Sequence, residues 1–368
     1  MTTTGRQLTS TLAEDGTLTL ELVEKDFPAP TGNKVLVKME AAPINPSDLF
    51  LLTAGVDLDS ADYSPTRIVA KMPEKMARAQ PARIGKALET GNEGAGLVVA
   101  AGEGGMAQAL MGQRVACVPG HAYGEYALAD ASMCLPLGDH SAREGAASFV
   151  NPMTALGFVE TARAAGQDAI VHAAAASNLG QMLNRICKED GIALVNIVRK
   201  QEQVDLLREQ GAAHVVNSSD ADFERQLQDA IGAANAFYGF DPIGGGTMTD
   251  TIFRAMERVA ASRMSEYNRY GSDQPKHMNI YGRLDTGNTV LTPTYGFRWT
   301  LSGWLLTPFL ANAGMETVMR MRKRVHDGLT TTFASDFKKE VSLEGMLEKD
   351  AITDYARMAT GEKYLVTP

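Results

Sequence analysis

Between Ala169 and Val198 the hydrophobic pattern changes period twice. Ala169 to Ala174 is an apolar run interrupted only by His172, the signature of a strand covered on both faces. Leu179, Met182, Leu183 and Ile186 then recur at helical spacing, which predicts an amphipathic helix. Gly191 ends it, and a second apolar run, Ile192 to Val198, predicts the next strand. Strand, turn, helix and strand over so short a length make a βαβ unit, and the second strand must lie parallel to the first.

The turn of that unit reads AASNLG and holds Ala175, Ser177, Asn178, Leu179 and Gly180. It keeps the spacing of G-x-G-x-x-G, with Ala175, Ser177 and Gly180 at the three small-residue positions. Small side chains there let backbone N–H groups approach a pyrophosphate at the helix N-terminus. About 20 residues past the loop, an acidic side chain would accept hydrogen bonds from a ribose 2′-hydroxyl, whereas a basic one pairs with a 2′-phosphate. Arg199 and Lys200 stand there, so the pattern points to NADPH; the plainer alternative is that they open a solvated helix, KQEQVDLLREQ.

Upstream the texture differs. Val35 to Met39 alternates as a strand, and AAPINPSDLF turns before a helix start at Ser47 or Asp48. GNEGAGLVVAAGEG, MGQRVACV and HAYGEYALA supply further short strands separated by turn residues. Such spacing predicts a β-rich domain before the nucleotide unit.

Composition narrows the function classes. A chain of 368 residues exceeds what one core sustains, so two domains are expected. Its formal charge of −9 argues against a nucleic-acid partner. No apolar run reaches the ~20 residues of a membrane span, and the N-terminal stretch lacks a secretory pattern, so a cytoplasmic location is expected. Cys117, Cys134 and Cys187 are isolated and the histidines scattered, so no metal site is expected. His172, alone in an apolar strand, is read as structural. The aromatic group Phe297, Trp299, Trp304 and Phe309 is expected to be buried packing, with a subunit interface next in order.

The order AAPINPSDL, GNEGAGLV, GQRVA, AYGEYAL, NPMTALG, the nucleotide unit and TGEKYLVTP resembles the zinc-independent medium-chain dehydrogenase/reductases, in their NADPH:quinone oxidoreductase and enoyl reductase branch. The resemblance spans nearly the whole chain. It implies an α/β fold in which a doubly wound Rossmann sheet, residues 151–314, is inserted into a GroES-like catalytic domain, residues 1–150 completed by 315–368. Zinc alcohol dehydrogenases of the superfamily carry His where Asn92 stands and Cys near Pro46, so a metal-assisted reaction is not expected. Residues 55–90 are longer than the family pattern, and their Lys-, Arg-, Met- and Pro-rich part, Tyr63 to Ala87, is expected either to border the substrate or to elaborate the surface.

The resemblance also assigns roles. Asn45 matches a nicotinamide-site asparagine, and Asn151 and Thr154 match residues beside the nicotinamide amide and ribose. Their plainer roles are a helix cap for Asn151 and a backbone-bonded hydroxyl for Thr154. Tyr63 is the candidate proton donor. Tyr281, Gly282 and Leu284 match a backbone contact with the cofactor, and Arg357 an arginine directed at it, with a surface salt bridge as the plainer alternative. The implied chemistry is metal-free hydride transfer from NADPH to a quinone or enone in a homodimer. A non-catalytic NADPH-binding protein, as among lens crystallins, and an enoyl-thioester reductase are the alternatives.

Overall fold

The computed structural model describes residues 2–53, 55–357, 359 and 363–368. The chain divides into two compact units, Met1–Val150 with Arg324–Pro368, and Asn151–Lys323.

The second unit is built on six parallel strands in the spatial order His214–Asn217, Ala193–Val198, Ala169–His172, Tyr238–Asp241, Lys276–Ile280 and Trp299–Gly303. In chain order this is 3-2-1-4-5-6, the doubly wound arrangement whose direction reverses beside the first strand. Ala169–His172 is buried at every position because neighbours pair with it on both edges. The apolar run continues to Ala174, but the ladder stops at His172. Ala174 takes φ 50°, a left-handed conformation that an alanine adopts only at a cost of about 1 kcal/mol or more. The chain thereby swings into the turn, where Ala175 donates to the Ile197 carbonyl at 3.0 Å.

The helix Asn178–Asp190 buries Leu179, Met182, Leu183 and Ile186, the stripe read from the sequence. Ser177 caps its start, and Gly191 at φ 67° ends it. Part of the aromatic expectation needs correction. Trp304 packs against Phe158 at 4.8 Å and Phe309 at 5.5 Å, but Phe297 is 80% exposed. Phe297 lies in an irregular stretch before the edge strand Trp299–Gly303, which no further strand covers among the described residues.

The first unit contains two sheets. One runs Asp57–Ser64, Arg67–Lys71, Thr17–Phe27, Thr3–Leu12 and Ala87–Glu89. The other runs Cys134–Pro136, Arg114–Cys117, Gly94–Ala101, Lys34–Pro43, Tyr364–Val366 and Lys339–Val341, with Tyr126–Asp130 also paired to Lys34–Pro43. Leu8, Leu12, Leu18, Leu20, Val35 and Val37 alternate inward to form much of the core.

Two features of this unit position the site. The C-terminal strand Tyr364–Val366 lies antiparallel to Lys34–Pro43, with Leu365 opposite Pro43 and Val366 opposite Ala42. The long 55–90 segment forms a hairpin, Asp57–Ser64 with Arg67–Lys71, that extends a sheet edge. Arg83 anchors it from a buried position, donating to the carbonyls of Phe50 and Leu51 at 3.0 and 2.9 Å and to Ser10 Oγ at 2.8 Å.

Candidate functional site

In the second unit the turn lies at the C-terminal end of the central strand, where the strand order reverses and doubly wound sheets bind ligands. Ser177 Oγ accepts the Gly180 N–H at 3.1 Å. Gly180 has to be glycine: a β-carbon there would lie 2.2 Å from the Ala175 carbonyl oxygen and 2.8 Å from its Cα. Ala175 and Leu179 are buried and Asn178 is half-buried; the Ala175 and Gly180 N–H groups are already taken by the Ile197 carbonyl and Ser177 Oγ, so Gly180 serves the turn by its lack of a side chain. A turn this tight at a helix N-terminus suits a pyrophosphate.

Arg199 and Lys200 follow the neighbouring strand Ala193–Val198 and are exposed. Gln203 and Ser219 hold the Arg199 backbone, the first accepting its N–H at 3.1 Å and the second donating to its carbonyl at 2.9 Å. Neither the Arg199 nor the Lys200 side chain has a hydrogen bond or ion pair among the described residues. Both the cofactor role and the helix opening have a basis here, since the helix Gln201–Glu209 begins directly after Lys200.

Asn151 and Thr154 are buried in the first turns of the helix Val150–Ala164. Asn151 is therefore a helical residue and not a cap. Neither side chain has a hydrogen bond among the described residues, so the backbone-bonded role for Thr154 is also unsupported. With no protein partner among the described residues, both side chains are available to a polar ligand.

Tyr281 follows the strand Lys276–Ile280 and turns its ring inward, where its hydroxyl lies 2.8 Å from His172 Nε2. Burial alone pushes the His172 imidazole down to about 3, so it is neutral. It also drives the Tyr281 phenol well above its ordinary value. The N–H groups of Tyr281 and Leu284 are engaged by the carbonyls of Asp241 and Pro242, both at 3.0 Å. A backbone contact with a ligand from these two residues therefore rests on their carbonyls. Gly282 packs against Pro242, whose carbonyl oxygen would sit 2.7 Å from a β-carbon.

The first unit holds a buried polar cluster. Asn45 follows the strand Lys34–Pro43 and donates through Nδ2 to Glu93 Oε1 at 2.9 Å, leaving its buried Oδ1 without a partner. The other Glu93 oxygen accepts the N–H groups of Phe149 and Val150 at 2.9 Å each. Asp48 accepts from the backbone of Asn45 and of Asn92, again at 2.9 Å. Burial pushes the Asp48 carboxyl up to about 6 and raises Glu93 as well. Asn92 donates through its side chain to Ser47 Oγ at 2.9 Å.

Two predicted residues are occupied elsewhere. The Tyr63 hydroxyl donates to the Leu58 carbonyl at 2.7 Å within its own hairpin, and burial raises its pKa. Arg357 ends the helix Lys349–Ala356, 68% exposed and 4.0 Å from Asp354. It borders a surface cavity of about 380 Å³ shared with Asp59, Lys339, Lys349, Asp350 and Asp354, where opposite charges balance. Thr360, Gly361 and Glu362 of the TGEKYLVTP motif lie outside the described residues.

The sequence reading passed over Glu93 and Lys363, although both stand in quoted motifs. A carboxylate inside the glycine-rich GNEGAG and a lysine opening the apolar YLV were the available signals.

Mitochondrial enoyl-[acyl-carrier-protein] reductase of Bos taurus is 30% identical over 213 residues, 55% of this chain and 49% of that protein. The chain spans about half the length of the curated relatives it matches. A Mesorhizobium loti structure described as a putative NADPH:quinone reductase superposes with a TM-score of 0.75 at 25% identity, covering 99% of this chain and 98% of that one. A mycobacterial structure complexed with NADPH shares the fold, with a TM-score of 0.70 at 17% identity over 99% and 100% of the two chains. No protein-family model matches. These relatives fall in the quinone reductase and enoyl reductase group that the motif order resembles.

Proposed function

We propose, from this kinship with quinone and enoyl reductases, that the chain is an NADPH-dependent oxidoreductase. Its substrates are quinones or the C=C bond of α,β-unsaturated carbonyl compounds, reduced by hydride transfer without a metal. The observation that carries the reading is the switch-point turn with its obligatory Gly180, followed by exposed Arg199 and Lys200 with no ionic partner among the described residues. Ala175, Ser177, Asn178, Leu179 and Gly180 would hold the pyrophosphate, Arg199 and Lys200 the 2′-phosphate, and Asn45, Asn151 and Thr154 the nicotinamide end. When bound, NADPH supplies the hydride. The protein's share is orientation, together with polarisation of the substrate oxygen that gains charge.

The similarity to a bovine enoyl-[acyl-carrier-protein] reductase keeps enoyl thioesters among the candidate substrates. A homodimer is proposed as well. Among the described residues the edge strand Trp299–Gly303 has an open side, and no residue of the apolar helix Leu306–Ala313 is fully buried. Light scattering would report its mass.

NADPH oxidation in a chelator-containing buffer, with a panel of quinones, enones and enoyl thioesters, tests the function. Turnover with at least one class is expected. NADPH binding without turnover on any class would leave only the non-catalytic alternative.

A further inference from the structure

The sequence spaces its cysteines singly, yet the fold of the first unit sets two of them side by side. Cys117 ends the strand Arg114–Cys117, and Cys134 begins the three-residue strand Cys134–Pro136 that pairs antiparallel with it. The register places the two directly opposite each other, and both are buried in one core cluster. On its other edge Cys117 faces Gly94, which has no side chain, so Cys134 is its cross-strand side-chain neighbour.

The hydrogen-bond pattern fixes how close they come. Opposite residues of an antiparallel pair alternate between bonded and non-bonded positions, and their side chains share a face. The Leu137 N–H donates to the Arg114 carbonyl at 3.0 Å, which marks that pair as bonded. Counting back along the register, Leu135 with Ala116 is the next bonded pair, and Cys134 with Cys117 falls on a non-bonded one. Pro136, which has no N–H, occupies the other non-bonded position, as the alternation requires. Non-bonded pairs bring Cα atoms to ~4.5 Å, inside the ~4.4–6.8 Å that a disulfide spans.

The two cysteines bracket a loop that braces the buried polar cluster. Gly120, Ala122 and Tyr123 donate backbone N–H groups to the carbonyls of Asn92, Gly91 and Thr90 at 3.2, 2.8 and 3.0 Å, directly before Glu93. The Tyr123 hydroxyl donates to the Pro43 carbonyl at 3.0 Å.

We propose that Cys117 and Cys134 form a reversible disulfide that locks the 118–133 loop against the 90–92 segment, with a hydroperoxide as oxidant and a small thiol as reductant. The Cys134 sulfur attacks the peroxide oxygen, the O–O bond breaks, and a sulfenic acid forms as one water leaves. The Cys117 sulfur then displaces the sulfenic oxygen, which departs as a second water with the remaining thiol proton, and the S–S bond closes. Two electrons pass from the dithiol to the peroxide. Two equivalents of the small thiol return them and become a disulfide themselves.

Reaction begins where the sheet opens. Burial raises the Cys117 thiol well above its ordinary value, with Cys134 and Glu93 adding to the shift, so its reactivity is suppressed while the sheet stays closed. The strand Cys134–Pro136 lies at the outer edge of that sheet among the described residues, and short outer strands open before interior ones. The Cys134 thiol donates to the Asp130 carbonyl at 3.4 Å, a bond that oxidation breaks.

The competing reading is a pair of inert thiols that only fill the core. The folded chain, treated with a small molar excess of hydrogen peroxide and then alkylated in denaturant, should lose two of its three thiols and regain them with dithiothreitol. Peptide mapping should place the bond between Cys117 and Cys134, with Cys187 still alkylated. Amide exchange across 118–133 should slow at least ~10-fold in the oxidised form. In Cys134→Ser the bond should be missing and exchange across the loop should not respond to peroxide. Three thiols intact after peroxide, or the same two carried to sulfinic acids without a bond, would overturn the proposal. A bond that forms only in denaturant, or one that leaves exchange unchanged, would overturn it equally.

Discussion

Gly180→Ala tests the turn most directly. In a helix, alanine is ordinarily favoured over glycine by about 1 kcal/mol, so propensity alone predicts stabilisation. The geometry opposes it: the new β-carbon would meet the Ala175 carbonyl oxygen at 2.2 Å and its carbonyl carbon at 2.6 Å. Both are backbone atoms and cannot rotate away. Relief needs a shift of roughly 1 Å between the turn and the helix Asn178–Asp190, and overpacking of this kind costs about 1–3 kcal/mol. The shift also breaks the Ser177 cap on the Gly180 N–H, worth about 1 kcal/mol. Set against the propensity gain, the net loss is about 2 kcal/mol, or roughly 4–8 °C in Tm for a unit of this size. Gly303→Ala, whose β-carbon would meet nothing within 4 Å, is the control and should leave Tm almost unchanged. Thermal unfolding with and without NADPH would be followed for both, with the cofactor's stabilisation reduced only in Gly180→Ala. An unchanged or higher Tm for Gly180→Ala would refute the close-approach reasoning.

Three further outcomes follow from the site. Arg199→Asp should erode or reverse a preference for NADPH over NADH of at least about tenfold, since one charge-assisted phosphate contact is worth ~1.5–3 kcal/mol; equal dissociation constants in the unmutated protein would remove the assignment. Thr154→Ala should lower the rate per folded molecule far more than Tm, because its side chain has no hydrogen bond among the described residues to lose; a lower Tm with an intact per-molecule rate would exclude it from the site. His172, held neutral with a pKa near 3, is protonated first in the unfolded chain, so its contribution to stability is complete above about pH 6.5 and is lost as pH falls towards 3. Relative to the unmutated protein, His172→Gln should flatten the Tm-versus-pH curve over that window, and parallel curves would count against it.

The sequence by itself determined whatever depends on residues close along the chain. Helical spacing of Leu179, Met182, Leu183 and Ile186 specified a helix and its buried face, and the apolar runs on either side specified strands covered on both faces. Small residues at 175, 177 and 180 were legible as a tight turn, and at Gly180 backbone crowding leaves no room for a β-carbon. The strong alternation of Thr17–Phe27 was equally available but went unread. Only the tertiary structure decided what depends on partners far apart. Asn45 binds Glu93, distant in the chain, through its amide N–H, and its buried Oδ1 is left without a partner. Tyr63 resembled a proton donor until its hydroxyl met the Leu58 carbonyl, and Phe297 resembled core but is exposed in the irregular stretch before the strand Trp299–Gly303. Lys363 reads as an ordinary lysine before a short apolar strand. Only the fold buries its ammonium, which lowers its pKa to about 8 against the pull of Glu93 and Asp48. Local periodicity records which face of an element is buried, whereas register across a sheet and the desolvation of a charge are properties of the assembled fold.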